Sequence, residues 1–255
     1  MKIQGLYIVC LATILAFTTP GRAEIDPDTI AGLWLFDEGE GDTALDSSGS
    51  GYDGILEGDP SWVDGRFGTA LEFTRSDYVE LQESAMNLPF GGVEPFTITA
   101  WVKNQGGGTI VGKFNGGVVG AYILSVGGGG GITFHREVAP WGLAGSQSLP
   151  TGQFGHVAAT YDGSEMRIYV DGELDTKEER PGQNTDMATP VLIGARLTSG
   201  NPSEFFRGVL DEVALFNVAL EERQIEEVMS SLSPEGAVSA SGKLASKWGS
   251  IKSQP

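Results

Sequence analysis

Two adjacent carboxylates, Asp211 and Glu212, interrupt the apolar run GVLDEVALF that begins at Gly208. In a strand, successive side chains point to opposite faces, which places Asp211 with Val209 and Val213 and places Glu212 on the other face. Whichever face is buried, one acid must then lie among core residues. A buried carboxylate needs a cation or hydrogen-bond donors, because it loses its hydration. Three roles stay open: a metal ligand, a catalytic acid, or a polar position on a half-exposed or edge strand.

A second concentration of acid lies in residues 37–53, DEGEGDTALDSSGSGYD, which mix carboxylates with Gly and Ser. Calcium takes roughly six to eight oxygen ligands from carboxylates and backbone carbonyls, on a chain that can turn sharply. The loop offers these groups, although it lacks the EF-hand spacing. A calcium site and a solvated acidic turn region are both compatible with this composition.

Glycoside hydrolases need two carboxyl groups that face the sugar from one face of the site. Glu38, Glu40 and Asp42 alternate but lie in a Gly-rich loop, and Asp211 and Glu212 are neighbours that point apart. The two histidines, His135 and His156, have no carboxylate at a telling offset. The chain also lacks a Gly-x-Ser-x-Gly elbow. We therefore expect a non-catalytic protein.

The N-terminal residues 1–23 have the pattern of a secretory signal peptide: Lys2, a short apolar stretch, and small residues at Gly21 and Ala23. An N-terminal anchor helix is the alternative. The only cysteine, Cys10, lies in this segment, so we expect no disulfide in the rest of the chain. Cleavage would remove two cations and change the net charge from −18 to −20. Such acidity argues against nucleic acid and anionic membrane surfaces as partners. We expect a secreted, extracellular or periplasmic protein without membrane insertion.

Short apolar runs separated by Gly, Asp, Asn and Ser dominate residues 24–232, which is typical of an all-β sandwich. Strands are predicted at Phe96–Val102 and Thr109–Lys113, among others. Two Asp-Gly pairs, at 162–163 and 171–172, predict a three-strand meander over residues 156–175. Five glycines from Gly127 predict a hairpin tip. Apolar residues spaced for one helix face predict a single short C-terminal helix: Ile225, Val228, Met229 and Leu232. Residues 233–255 are predicted to be a flexible or docking tail.

Several stretches together resemble the bacterial laminin-G-like, concanavalin A-like jellyroll domains of the LamG type 3 group. The most specific are VAATYDGSEMRIYVDGEL and LDEVALFN, and similar words run from about residue 30 to residue 229. The resemblance implies a jellyroll sandwich of two antiparallel sheets, commonly with bound calcium, that binds carbohydrate or protein at cell surfaces. It also implies that the strand of Asp211 runs beside the N-terminal strand. We therefore predict one structural calcium that joins the two ends of the domain, with Asp37, Asp46 and Asp211 as ligands.

The ligand itself is expected to be a glycan or an extracellular protein. Aromatic and cationic side chains on or near the predicted strands are the candidates for contacting it: Trp141, His135, Arg136 and Trp101. Trp141 lies in the loop EVAPWGLAG and is the best candidate for an exposed aromatic ring. Ordinary packing in the core or at a sheet edge is the alternative for each of the four. A structural or adhesion module that acts through protein contacts, and less favourably a divergent glycoside hydrolase, remain as alternative functions.

Overall fold

The computed structural model of the protein describes residues 25–82, 88, 93–116, 119–182 and 189–231. The predicted signal peptide, Leu232 and the predicted tail at 233–255 lie outside these residues. Within the described part of the chain, no helix is long and apolar enough to cross a membrane.

The described residues are almost entirely β-structure, with a short 3-10 turn at Pro27–Thr29 and one α-helix, α1, at Glu222–Ser231. The strands in chain order are β1 Ile30–Trp34, β2 Thr43–Ala44, β3 Gly54–Glu57, β4 Ser61–Asp64, β5 Thr69–Phe73, β6 Tyr78–Leu81, β7 Phe96–Gly116, β8 Val119–Val126, β9 Gly131–Arg136, β10 Gly142–Ser148, β11 Phe154–Tyr161, β12 Glu165–Val170, β13 Glu173–Glu179, β14 Leu192–Ile193, β15 Arg196–Thr198, β16 Asn201–Ser203 and β17 Arg207–Phe216.

These strands form two sheets, which confirms the predicted sandwich. Sheet A contains β1, β4, β5, β11, β12, β13 and β17 together with the first half of β7. Sheet B contains β2, β3, β6, β8, β9, β10, β14, β15 and β16 together with the second half of β7. The pairing is antiparallel except where β15 runs parallel to β7.

The long strand β7 belongs to both sheets, so the two separate strands predicted at Phe96–Val102 and Thr109–Lys113 are one element. The crossing occurs at Gly107 and Gly108, whose φ angles are 82° and 127°. A Cβ on Gly108 would lie 2.3 Å from the carbonyl oxygen of Phe205, so no larger side chain fits there. Glycine thus allows the chain to pass from one sheet to the other without ending the strand.

The main core lies between the sheets, where the inward residues of both meet, among them Trp34, Phe96 and Phe134. A second apolar cluster lies on the outer face of sheet A, beneath α1. It contains Ile225 and Val228, so the predicted helix is confirmed with these two residues buried, while Met229 is half-buried. Part of the outer face of sheet A is therefore covered by α1, the α-helix of the described residues.

The turn predictions from Asp-Gly pairs are confirmed. Strands β11, β12 and β13 form the expected meander, with Tyr161 paired to Met166 and Val170 paired to Glu173. Asp171 and Gly172 both have positive φ, at 49° and 87°, which is the geometry that an Asp-Gly turn accommodates. The glycine run after Val126 forms the tip between β8 and β9, as predicted.

Candidate ligand-binding site

Asp211 and Glu212 are both fully buried, which the strict alternation of the sequence did not predict. The register of β17 against β7 steps from Asp211 opposite Trp101 to Ala214 opposite Thr99, and Glu212 has a φ of 50°. This extra residue is a β-bulge, and it inverts the facing of every side chain after it. The predicted grouping of Asp211 with Val213 is therefore wrong: Asp211 lies on the outer face of sheet A.

Asp211 and Asp37 hold the hairpin that joins β4 to β5. Oδ2 of Asp211 accepts a hydrogen bond of 2.9 Å from the backbone N–H of Phe67, and Oδ1 of Asp37 accepts one of 3.1 Å from the N–H of Thr69. The Thr69 hydroxyl donates to the carbonyl of Phe36 at 2.6 Å. The two predicted metal ligands from opposite ends of the chain thus meet on one turn.

Asp46 lies in a different environment, where both of its oxygens accept backbone hydrogen bonds. Oδ1 accepts from Leu33 at 3.0 Å and Ser48 at 2.9 Å, and Oδ2 accepts from Tyr52 at 3.0 Å. These donors occupy lone pairs that a cation would need, so Asp46 fits a metal poorly. Among the described residues, no group of three or more His, Cys, Asp or Glu side chains is arranged to hold a metal. The calcium site stays a prediction.

Trp141 and His135 form an aromatic shelf on the outer face of sheet B. Trp141 is 49% exposed, and its ring stacks on His135 with centroids 6.5 Å apart and an interplanar angle of 11°. His135 in turn meets the ring of Phe114 edge-on at 5.2 Å. The loop that carries Trp141 is held by two backbone hydrogen bonds, from Trp141 N to the Val138 carbonyl and from Arg136 N to the Trp141 carbonyl.

A groove of about 470 Å³ continues from His135 along this outer face, and we call it the sheet B groove. Backbone of Gly106–Gly108 and of Gly127–Gly128 forms part of its lining, together with the hydroxyl-bearing residues Ser125 and Thr133. Arg196 also lines it, with Cζ 5.3 Å from the centre of the Phe114 ring. Aromatic faces beside hydroxyl, amide and guanidinium groups are the surroundings that a sugar ring needs.

The charged groups of the sheet B groove are paired. Nε2 of His135 lies 3.0 Å from a Glu137 oxygen, and Nη2 of Arg196 lies 3.7 Å from a Glu204 oxygen. Glu137 and Glu204 are therefore each in contact with an imidazole or guanidinium group of the groove.

Arg136 is not available to a ligand, because its side chain is 0% exposed. It projects from β9 to the side opposite His135 and into the core. Its guanidinium lies 3.3 Å from the centre of the Tyr161 ring and donates to the carbonyls of Arg180 at 3.1 Å and Gly182 at 3.0 Å. The ligand role predicted for Arg136 is wrong for that reason.

Trp101 lies on sheet A, away from the aromatic shelf, and is only 6% exposed. Its ring packs edge-on against Phe67 at 5.9 Å and against His156 at 5.4 Å. Burial lowers the pKa of His156 to about 3, so this imidazole is neutral at physiological pH. Of the four predicted ligand residues, the structure brings only Trp141 and His135 together.

Phe114, which contacts His135, and Arg196, which lines the groove, are site residues that the sequence did not single out. Phe114 directly follows the predicted strand Thr109–Lys113, and Arg196 follows the apolar run VLIGA. They are identified as site residues only because they are in contact in the fold, although 82 positions separate them in the chain. No sequence spacing rule predicts this contact.

The Laminin_G_3 model, described as the concanavalin A-like lectin/glucanases superfamily, matches residues 73–226. The chain belongs to this superfamily. The match covers more than half of the chain and contains most of both sheets, the aromatic shelf and the sheet B groove. The resemblance inferred from the sequence is therefore confirmed.

Similar proteins come from several contexts. Human pappalysin-1 is 28% identical over 128 residues, which is 48% of this chain but only 7% of pappalysin-1. Domain 4 of AbnA, a GH43 extracellular arabinanase from Geobacillus stearothermophilus solved with arabinotriose, has a TM-score of 0.60 at 20% identity, covering 78% of this chain and 98% of that one. The binding domain of Paraclostridial Mosquitocidal Protein 1 has a TM-score of 0.61 at 15% identity, covering 80% and 52%. At such identities, these structures establish the fold.

Proposed function

We propose that this protein is a secreted, non-catalytic module that binds a neutral oligosaccharide on the outer face of sheet B. One observation carries the proposal: the exposed Trp141 ring stacks on His135 at the mouth of a polar groove of about 470 Å³. A flat aromatic face covers the apolar side of a sugar ring, while the groove's hydroxyl and amide groups replace water around the sugar hydroxyls.

The non-catalytic part of the proposal rests on the acids of this face. Glu137 and Glu204 are the carboxylates that contact groove side chains, and each neighbours His135 or Arg196. Glycoside hydrolysis requires two carboxyl groups that flank the bond to be cleaved. Glu137 and Glu204 instead each contact a different groove side chain, so we expect no release of reducing sugar.

Calcium enters the proposal as a stabiliser of the fold and not as a participant in ligand binding. Asp37 and Asp211 both contact the β4–β5 hairpin. Both are candidates to bind an ion at that turn, directly or through a water molecule. Backbone carbonyls would have to complete the ligand set, because calcium requires more oxygens than two carboxylates supply. Secretion and removal of residues 1–23 belong to the same proposal and rest on the signal-peptide pattern.

A glycan array with the full chain tests the binding proposal. We expect neutral oligosaccharide hits that Trp141→Ala weakens by about tenfold, equivalent to about 1.4 kcal/mol. Leu174→Ala is the matched control, since Leu174 is an exposed apolar residue, 38% exposed, on β13 of sheet A. Equal binding by wild type and Trp141→Ala would place the ligand elsewhere. A blank array with folded protein would favour an extracellular protein as the ligand.

A further inference from the structure

A second pocket opens on the outer face of sheet A, and we call it the sheet A pocket. It has a volume of about 590 Å³, and its lining includes Arg66, Lys103, Trp101, Phe154, Asp171 and Met229. Met229 belongs to α1 and Trp101 to the central strand β7, so the helix and the sheet both contribute walls. Its size is within the range of small-ligand sites.

Two cations of this pocket are held against aromatic rings. Cζ of Arg66 lies 4.8 Å from the centre of the Trp101 ring and 5.2 Å from that of Phe67, and Nζ of Lys103 lies 5.8 Å from that of Phe154. Among the described residues, neither cation lies within ion-pair distance of a carboxylate. Two such cations in one pocket are unusual in a chain with a net charge of −18.

One carboxylate, that of Asp171, lines the pocket together with these cations. Oδ1 of Asp171 accepts a hydrogen bond of 2.8 Å from the backbone N–H of His156, which directs that carboxylate toward the sheet. The His156 ring beneath Trp101 is buried and neutral. Arg66 and Lys103 therefore outnumber the one acidic side chain among the residues that line the pocket.

We propose that the sheet A pocket binds a carboxylate-bearing sugar of an acidic oligosaccharide. A guanidinium stacked on a ring presents its N–H edge, which matches the two oxygens of a carboxylate, and Lys103 adds a second positive charge. The half-buried ring of Phe154 supplies apolar surface for the sugar ring. This site is independent of the proposed neutral-glycan function, because it uses neither Trp141 nor His135.

The strand pairing around the pocket favours a sugar over an acidic peptide. Trp101 and Lys103 lie on β7, which pairs with β11 on one side and β17 on the other. No strand edge is therefore open here for an extended peptide to join by backbone hydrogen bonds. Two cations and the Phe154 ring are what this surface offers, and a uronic acid residue uses both charge and ring contact.

Calorimetric titration of the full chain with trigalacturonic acid and with its methyl ester tests the proposal. The ester keeps the sugar skeleton and removes the charge. We expect the acid to bind and the ester to bind at least about tenfold more weakly, as the loss of charge-assisted hydrogen bonds implies. Absence of binding by the acid, or equal binding of acid and ester, would overturn the assignment.

Variants locate the site and separate it from the sheet B groove. Arg66→Gln and Lys103→Gln should each weaken binding of the acid by about tenfold, and Arg66→Lys should weaken it less, because the charge stays while the paired N–H edge is lost. Arg75→Gln, at an exposed arginine outside the pocket, should bind like wild type. Thermal unfolding of each variant shows whether it is folded, and Lys103→Gln provides a second variant if Arg66→Gln is not.

Three results would contradict the proposal. They are unchanged affinity in the Arg66→Gln/Lys103→Gln double variant, loss of acid binding in Trp141→Ala, and equally tight binding of a pentaglutamate peptide. The second would place the acidic sugar in the sheet B groove, and the third would replace a sugar with an acidic peptide. A blank neutral-glycan array leaves these outcomes unaffected, so the two proposals fail separately.

Discussion

The buried imidazole of His156 should make the stability of this protein depend on pH in a predictable way. The ring lies on the outer face of sheet A under Trp101, with 0% exposure, and burial lowers its pKa to about 3. In the unfolded chain its pKa is about 6.5. The unfolded state therefore binds a proton below about pH 6.5, whereas the folded state does not until about pH 3.

The magnitude follows from the difference between these pKa values. Above about pH 6.5 both states hold a neutral ring and His156 has no effect on the pH dependence of stability. Each pH unit below that value lowers the free energy of unfolding by about 1.4 kcal/mol, so the loss reaches about 2.7 kcal/mol at pH 4.5. Asp162 affects the free energy of unfolding only at lower pH. Burial raises its pKa, but hydrogen bonds from Glu165, Ser164 and Arg167 outweigh this effect and lower the pKa to about 2.

Urea unfolding of wild type and His156→Gln at pH 7.5 and pH 4.5, followed by tryptophan fluorescence, measures this effect. Glutamine does not titrate, so the variant should lose about 2.7 kcal/mol less than wild type between the two pH values. Subtraction cancels the contributions of groups that both proteins share. If His156→Gln does not fold, His156→Phe serves the same purpose. Parallel pH dependence in wild type and a folded variant would refute the reasoning.

Two further predictions concern buried polar groups. Arg136→Leu should lower the free energy of unfolding by about 3 kcal/mol, because the buried carbonyl of Arg180 and the part-buried carbonyl of Gly182 lose their donor. Urea unfolding measures this, and Arg75→Leu is an exposed control that should change little. If calcium binds at the β4–β5 hairpin, the melting temperature of wild type should be higher with calcium than with a chelator. The melting temperatures of Asp37→Asn and Asp211→Asn should not change with calcium. Both variants keep an oxygen that can accept the backbone hydrogen bond. A wild-type melting temperature that is the same with calcium and with chelator would contradict that proposal.

Much of the architecture follows from local patterns in the sequence. Period-two alternation, the Asp-Gly pairs and the helical spacing of Ile225 and Val228 predicted the sandwich, the 156–175 meander and helix α1. Each depends on interactions between residues close in the chain, or on which side of one element is apolar. The same alternation also bears on Arg136. It places Arg136 on the same face as the apolar residues Ile132 and Phe134, and this pattern predicts that Arg136 points into the core.

The candidate sites depend on contacts that local patterns do not contain. The bulge at Glu212 reverses the facing of the strand after Asp211, and it arises from pairing with β7, about 110 positions away in the chain. Phe114 meets Arg196, and Arg66 meets Trp101, only because strands distant in sequence pair in one sheet. The sequence alone therefore determined the elements and their apolar faces. Tertiary pairing decided which acids hold a turn, which cations face solvent, and which aromatic rings form a surface for a ligand.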